Sequence, residues 1–336
     1  MKKSLVALAA LASISAFADT AVPPTPAVTV YGLIDYGLAG STGNSAAFLP
    51  DNNSTSRFGI KGTVAAGSGI NINYDLEAGH VVVAAKPSNQ PFFERAAWAG
   101  FSGNFGEIRA GTQYSLGFQQ QVGFDLNGAA NDSQASALSG VPTLGLSTYN
   151  GTASGSLAQY ISPTVAGFTL QVGWQPQRDS AVLQNQANNA TGNAADAGVS
   201  AGAAGLTYAS GPFAAAVTFE GAQTNNPTLN TSNSWYAASA SYDLGVAKLV
   251  GTYANGDGAN GTGLKGYNLG VQVPVAGVNV GLQYSKNTDT SDTGTEVFAN
   301  KEVLKNVTAY FDYGYKQVNA TSTNTYVYSV GAIWAF

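Results

Sequence analysis

The stretch Thr325-Tyr326-Val327-Tyr328-Ser329-Val330-Gly331-Ala332-Ile333-Trp334-Ala335-Phe336 alternates without a break. Tyr326, Tyr328, Val330, Ala332, Trp334 and Phe336 fall on one side. Val327, Ser329, Gly331, Ile333 and Ala335 fall on the other and are smaller or less aromatic. A period of two places successive side chains on opposite faces of a β-strand. Residues 28–38 repeat the pattern. Val28, Val30, Gly32, Ile34, Tyr36 and Leu38 share one face, and Thr29, Tyr31, Leu33, Asp35 and Gly37 the more polar one.

Similar segments, roughly nine to twelve residues each, begin near Ser56, Ile70, Phe92, Phe105, Leu157, Gly167, Ala201, Pro212, Ser234, Val246, Leu264, Val278, Thr295 and Val307. With the first and last they make about sixteen strands, separated by Gly, Asn, Asp, Ser and Thr clusters that read as turns. No composition break divides them, so a single domain is expected.

Strands of this kind can form a sandwich with polar faces outward or a membrane barrel with apolar faces outward. Charge decides between them. Only 10% of the 336 residues are charged, whereas a soluble surface needs roughly 25–35%. Each segment is also long enough to cross a bilayer, which takes about 9–11 residues. Aromatic residues near strand ends (Tyr31, Tyr36, Tyr208, Trp235, Tyr242, Tyr253, Tyr284, Tyr310, Tyr315) fit interfacial girdles. The expected fold is therefore all-β: a transmembrane antiparallel barrel. A hydrophobic content of 44% argues against disorder. The acidic balance, 19 acidic against 14 basic residues, argues against a nucleic-acid partner.

The N-terminus reads as a secretory signal peptide, residues 1–18. Lys2 and Lys3 precede the apolar run Leu5 to Phe17, and Ala16-Phe17-Ala18 supplies a small-x-small cleavage site. Cleavage removes two lysines and leaves residues 19–336 as the barrel domain. Export implies an oxidising compartment, yet the chain has no cysteine to pair there.

The C-terminal strand resembles the β-signal of outer-membrane proteins, with Ser329, Gly331, Trp334 and Phe336 at its expected positions. More broadly, the chain resembles the trimeric general porins of Gram-negative outer membranes, in their beta-proteobacterial branch. The likeness is carried by Val30-Tyr31-Gly32-Leu33-Ile34-Asp35 and by Ser54-Thr55-Ser56-Arg57-Phe58-Gly59-Ile60-Lys61-Gly62. Further matches are Phe101-Ser102-Gly103-Asn104-Phe105-Gly106-Glu107-Ile108-Arg109-Ala110-Gly111, Tyr160-Ile161-Ser162-Pro163 with Gly167-Phe168, and Tyr242-Asp243-Leu244-Gly245. The resemblance implies a sixteen-stranded barrel, a homotrimer, and a long third loop folded into the pore. It implies passive diffusion of ions and small hydrophilic solutes without catalysis or cofactor. Its implied partners are outer-membrane lipids, lipopolysaccharide and the outer-membrane insertion machinery.

The third loop is also visible in the residues. About forty residues without strong alternation, roughly 114–156, separate two strands, and a connection of that length is usually functional. It carries Asp125, Asn127, Asn131, Asp132 and Gln134. Selectivity in a pore comes from charge at its narrowest part. The basic candidates on the wall are Arg57, Lys61, Arg95 and Arg109, and the acidic ones on the loop are Asp125 and Asp132. An arginine facing lipid costs about 2–4 kcal/mol at the midplane, which favours the lumen. By resemblance, Arg57 and Arg95 match constriction arginines, while Arg109 follows a motif that could lie lower on the wall. The blander alternative pairs each arginine with Asp35, Asp75, Glu77, Glu94 or Glu107.

The chain departs from the pattern of anion-selective members of the family it resembles, which leaves the sign of its selectivity open. Ala153, or a neighbour, stands where they often carry an arginine. Leu304-Lys305-Asn306-Val307-Thr308 and Ile333-Trp334-Ala335-Phe336 are also less basic than the usual pattern. A substrate-specific channel for a sugar or small acid is the nearest alternative function, and a non-conducting adhesin barrel the next. Hydrolysis would need a base beyond the only histidine, His80, which reads as structural. Asn255-Gly256-Asp257-Gly258 lacks the further ligands of a calcium loop and reads as a turn.

Overall fold

The structure is a computed structural model, and it describes residues 27–82, 92–131, 133, 154–175, 199–224, 232–256 and 265–336. The expected signal peptide, Ala153, Asp132 and much of the third connection lie outside them. The strands are β1 Ala27–Ser41, β2 Asn44–Pro50, β3 Arg57–Gly67, β4 Ile70–Gly79, β5 Ala96–Gly103, β6 Gly106–Tyr114, β7 Ser154–Ile161, β8 Phe168–Gln175 and β9 Val199–Ser210. They continue as β10 Phe213–Thr224, β11 Ser232–Asp243, β12 Lys248–Gly256, β13 Gly266–Val275, β14 Val278–Asn287, β15 Thr293–Leu304, β16 Val307–Val318 and β17 Thr323–Ala335. A short helix, α1 (Leu116–Gly123), follows β6.

Successive strands from β3 to β17 pair antiparallel, and β17 returns to β1 from Leu33↔Ala335 to Ser41↔Val327. The free edge of β1 is shared: β2 covers Tyr36 to Ser41, and β3 covers Ala27 to Leu33. Among the described residues, seventeen strands thus make a closed wall of sixteen positions. Closure matters in lipid, where an unpaired backbone edge would have no water to satisfy it.

Burial is inverted relative to a soluble protein. Val217, Phe219, Leu249, Leu269, Leu282, Val297, Phe311 and Trp334 are exposed, whereas Asp35, Glu77, Gln159, Gln171, Thr218, Ser239, Gln283, Glu296 and Asp312 are buried. The period-two pattern produces this: one parity of each strand faces out, the other into the lumen. Gly32 and Phe336 show the pattern at the seam. Their backbones exchange two hydrogen bonds of 3.0 Å. A Cβ on Gly32 would sit 2.5 Å from Phe336 Cζ, so glycine makes room for the ring.

The structure corrects three sequence expectations. The segment placed near Phe92 starts at Ala96, because residues 92–95 turn before the backbone of Arg95 bonds Glu77 O at 3.1 Å. Strand β2 and helix α1 occupy stretches that the sequence pattern presents as loop. Finally, Tyr31, Trp235 and Tyr310 are not girdle residues. Tyr31 and Tyr310 point inward to Asp75 and Asp35, each at 2.7 Å, and Trp235 is buried against Gly117. Nearness to a strand end does not fix the face; parity does. Among outward tyrosines, Tyr313, Tyr326 and Tyr328 form a stacked row with ring centroids 6.5 and 6.4 Å apart.

Candidate functional site

All four basic candidates lie on the inward face of β3 to β6 or just before β5. The short turns of the barrel, such as Gly103–Gly106 and Gly67–Ile70, mark one end, and the long connections mark the other. Arg57 begins β3 at the long-connection end. Its Nε donates to Thr55 O at 3.1 Å and its Nη2 to Ser54 Oγ at 2.6 Å, both neutral acceptors. Arg95 lies across Glu77, Nε to Oε1 2.6 Å, and also donates from Nη2 to the Tyr114 hydroxyl. Its guanidinium is 5.5 Å from the Tyr114 ring centre. Arg57, Arg95, Glu77 and Tyr114 are close enough to interact electrostatically. Lys61, four residues down the same face from Arg57, is exposed, with Nζ 4.9 Å above the Tyr31 ring.

Arg109 belongs to a different level. It lies three residues from the short turn of β5 and β6, stacked on Trp98 at 4.8 Å. Its Nη2 donates to Gln159 Oε1 at 2.9 Å, and Nη1 is 3.9 Å from Glu107. The structure therefore groups Arg57 with Arg95 at the long-connection end, whereas Lys61 and Arg109 lie farther toward the short turns, both near Asp75. Glu94 is also engaged, accepting from Gly79 N at 2.9 Å.

The described part of the third connection makes its contacts with inward side chains of the far wall. Gly117 N donates to Glu220 on β10 at 2.7 Å, and Gln120 to Ser239 on β11 at 2.8 Å. Leu116 packs with Leu157, Ala201 and Ala203, and Leu126 with Val250 and Phe298. Asn127 Nδ2 then donates to Glu296 at 2.7 Å and to Asp312 at 2.6 Å, while Asn131 N reaches Asn53 O at 2.8 Å. Asp125 turns to its own loop, accepting from Asn127 N at 2.8 Å and Ala129 N at 2.9 Å, with Gln283 Nε2 at 3.2 Å.

A cluster of carboxyl groups thus lies beside the basic one. Asp35, Glu296 and Asp312 are almost fully buried, at 0%, 1% and 2% exposure. Their oxygens accept from neutral donors: Asn53 N, Ser54 N and Tyr310 for Asp35; Gln283, Ser133 and Asn127 for Glu296; Asn53 and Asn127 for Asp312. The sequence alone suggests Asp35 only as an arginine partner. Glu296 and Asp312 are not among the sequence candidates, although their inward parity in strands is readable from sequence.

The assembly candidates have local roles. Ser329 is buried in the lumen face, and a Cβ on Gly331 would stand 2.5 Å from Tyr310 Oη. Trp334 and Phe336 pack together outside, ring centroids 5.2 Å apart and planes tilted by 42°. His80 pairs with Asp51 at 2.8 Å and is a turn residue at φ 53°.

Comparison with known proteins agrees with this architecture. The family model described as Gram-negative porin matches residues 4–324. The chain is 30% identical over 303 residues to outer membrane porin protein 32 of Delftia acidovorans, covering 85% of this chain and 80% of that one. It is 27% identical over 299 residues to an outer membrane porin of Bordetella pertussis, covering 82% and 74%. The solved anion-selective porin of Comamonas acidovorans superposes with a TM-score of 0.73 at 22% identity, over 93% of this chain and 100% of that one.

Proposed function

Since the chain belongs to the Gram-negative porin family and is an outer-membrane porin, we propose that its lumen passes ions and small hydrophilic solutes passively, without catalysis, and favours anions. The constriction lies between Arg57, Arg95 and Lys61 on the wall and the third loop, with Arg109 lower down. One observation carries the sign. The acids beside the loop, Asp35, Glu296 and Asp312, are almost fully buried, whereas Lys61 stands exposed on the wall. Passing ions therefore meet cations more directly than carboxylates, despite the acidic balance of the whole chain. The anion-selective character of the Comamonas relative supports the same sign.

Reversal potential across a potassium chloride gradient in planar bilayers tests this reading. The expected sign is that of an anion-preferring channel. A cation-preferring sign would overturn the selectivity while leaving the channel intact, and an absence of conductance would overturn the channel itself. Saturable current blocked by one solute would point instead to a substrate-specific channel.

The proposal extends to export and assembly. Residues 1–18 direct export, residues 19–336 form one barrel domain, and three copies associate among outer-membrane lipids and lipopolysaccharide. The insertion machinery reads the strand ending Trp334-Ala335-Phe336. Support comes from the outward aromatic pair and from Phe336 sealing the β1 seam over Gly32. Deleting Phe336 is expected to lower the cellular yield of heat-modifiable trimers without reducing export. Refolding from urea into detergent separates the two roles of Phe336: recognition alone leaves refolding yield unchanged, whereas a purely structural seam lowers both yields equally.

A further inference from the structure

Helix α1 is too short to hold itself. An isolated helix below about 12–15 residues is marginal in water, and this one has eight, including Gly117 and Gly123. Its first turn contains no acidic residue to complement the positive end of the helix dipole. Of the amides left without intrahelical partners there, Phe118 N is capped locally by Ser115 Oγ at 3.1 Å. Gly117 N is capped from 103 residues away, by Glu220 Oε1 at 2.7 Å.

Glu220 is buried at 3% exposure and pairs directly across the sheet with Trp235, itself buried at 4%. The indole edge lies against Gly117. A Cβ there would sit 2.5 Å from Trp235 Cζ2, 2.8 Å from Cη2 and 3.2 Å from Glu220 Oε1. One carboxylate and one ring on adjacent strands thus fix both the direction and the depth of the helix start.

The other side of that helix start touches the basic group. The Phe118 ring is 4.9 Å from the Tyr114 ring, and Gln119 Nε2 bonds Tyr114 O at 2.9 Å. The Tyr114 hydroxyl is the acceptor for Arg95 Nη2. A physical path therefore runs from Glu220 through Gly117, Phe118 and Tyr114 to Arg95.

We propose that Glu220, with Trp235, is a positioning residue for the pore: it seats helix α1 on the wall and thereby sets both the opening and the placement of Arg95. This rests on the channel reading above. Glu220 contacts no permeant ion in this role; it acts through the loop. Losing a hydrogen bond to a charged acceptor is expected to raise the population of displaced loop on the order of tenfold.

The test uses single-channel recording of the full-length refolded or membrane-extracted protein, with wild type recorded first. If wild type does not conduct, the channel reading fails. If it conducts, three variants address Glu220. Glu220→Ala is expected to show open-channel current fluctuations about tenfold more frequent and a reversal potential shifted from wild type. Glu220→Gln retains the acceptor oxygen and should restore wild-type noise and selectivity. Gly117→Ala should reproduce the disturbance, and Gly117→Ala with Trp235→Phe, which removes the clashing indole edge, should relieve it. Heat-modifiable folded yield identifies variants that fold, so each comparison is made between folded channels. Unchanged noise and reversal potential in folded Glu220→Ala would overturn the proposal. So would an equal defect in Glu220→Gln and Glu220→Ala, or no relief in the double variant.

Discussion

Replacing Arg57 and Arg95 together by alanine is expected to move the reversal potential far towards cation preference, about tenfold in relative ion occupancy for a change of 1.4 kcal/mol. A unit charge pair about 4 Å apart is worth roughly 4 kcal/mol at an effective dielectric near 20, and pore water and salt reduce this. The two arginines contribute differently. Arg57 hydrogen-bonds the neutral Thr55 O and Ser54 Oγ, so its removal subtracts a cation and breaks no direct ion pair. Arg95 covers Glu77 at 2.6 Å, so its removal subtracts a cation and also uncovers an anion. Arg95→Ala alone should accordingly shift selectivity more than Arg57→Ala, and adding Glu77→Gln should recover part of the excess. The shifts should be largest at low salt, where the Debye length is about 30 Å at 0.01 M rather than 10 Å at 0.1 M. A double variant that keeps the wild-type reversal potential in dilute salt would remove these arginines from the account of selectivity.

The wall was legible because a strand needs only parity to be read. Arg57 and Lys61 share odd positions in one strand, so sequence alone puts them on one face, and the cost of charge in lipid makes that face the lumen. The same rule, applied more strictly, would have moved Tyr31 and Tyr310 inside, since each shares parity with the polar face of its strand. Helix α1 left a fainter trace. Ser115 is an N-cap residue type, but LGFQQQVG has two glycines and no clear apolar stripe, so nothing local demanded a helix. Strand β2 is short, ends at Pro50, and exists because the upper edge of β1 is open to it. What the sequence could not display was the partner of each loop residue. Asn127 meets Glu296 and Asp312 across separations of 169 and 185 residues, and Gly117 meets Glu220 across 103. These pairings arise only when the barrel closes and the loop is laid inside it.

That long-range contact makes Asn127 a point where one atom's chemistry should control the loop. Its Nδ2 donates to Glu296 Oε1 at 2.7 Å and to Asp312 Oδ1 at 2.6 Å. Asn127→Asp keeps the shape but replaces the shared donor by an acceptor facing two carboxylates. Hydrogen bonds to charged groups are worth about 1.5–3 kcal/mol each, and the substitution adds like-charge repulsion in a buried setting, where such pairs are screened little. Leu126, buried on Phe298 and Val250, and Gln283, which bonds Asp125 and Leu126 N, hold the residues before Asn127 to the wall, so the loss falls on the tip beyond them. The loop tip should therefore leave the wall near β15 and β16, giving unstable conductance levels and faster protease cleavage in the third loop, while the folded barrel persists. Asn127→Ala removes the donor without adding charge and should give the milder form of the same defect. Glu296→Gln placed in the Asn127→Asp background restores a donor and removes one charge, so it should reverse most of the effect. If Asn127→Asp conducts with wild-type stability and resists protease as wild type does, the carboxylates of β15 and β16 do not hold the loop. If Asn127→Ala is as severe as Asn127→Asp, the donor rather than the repulsion governs the anchor.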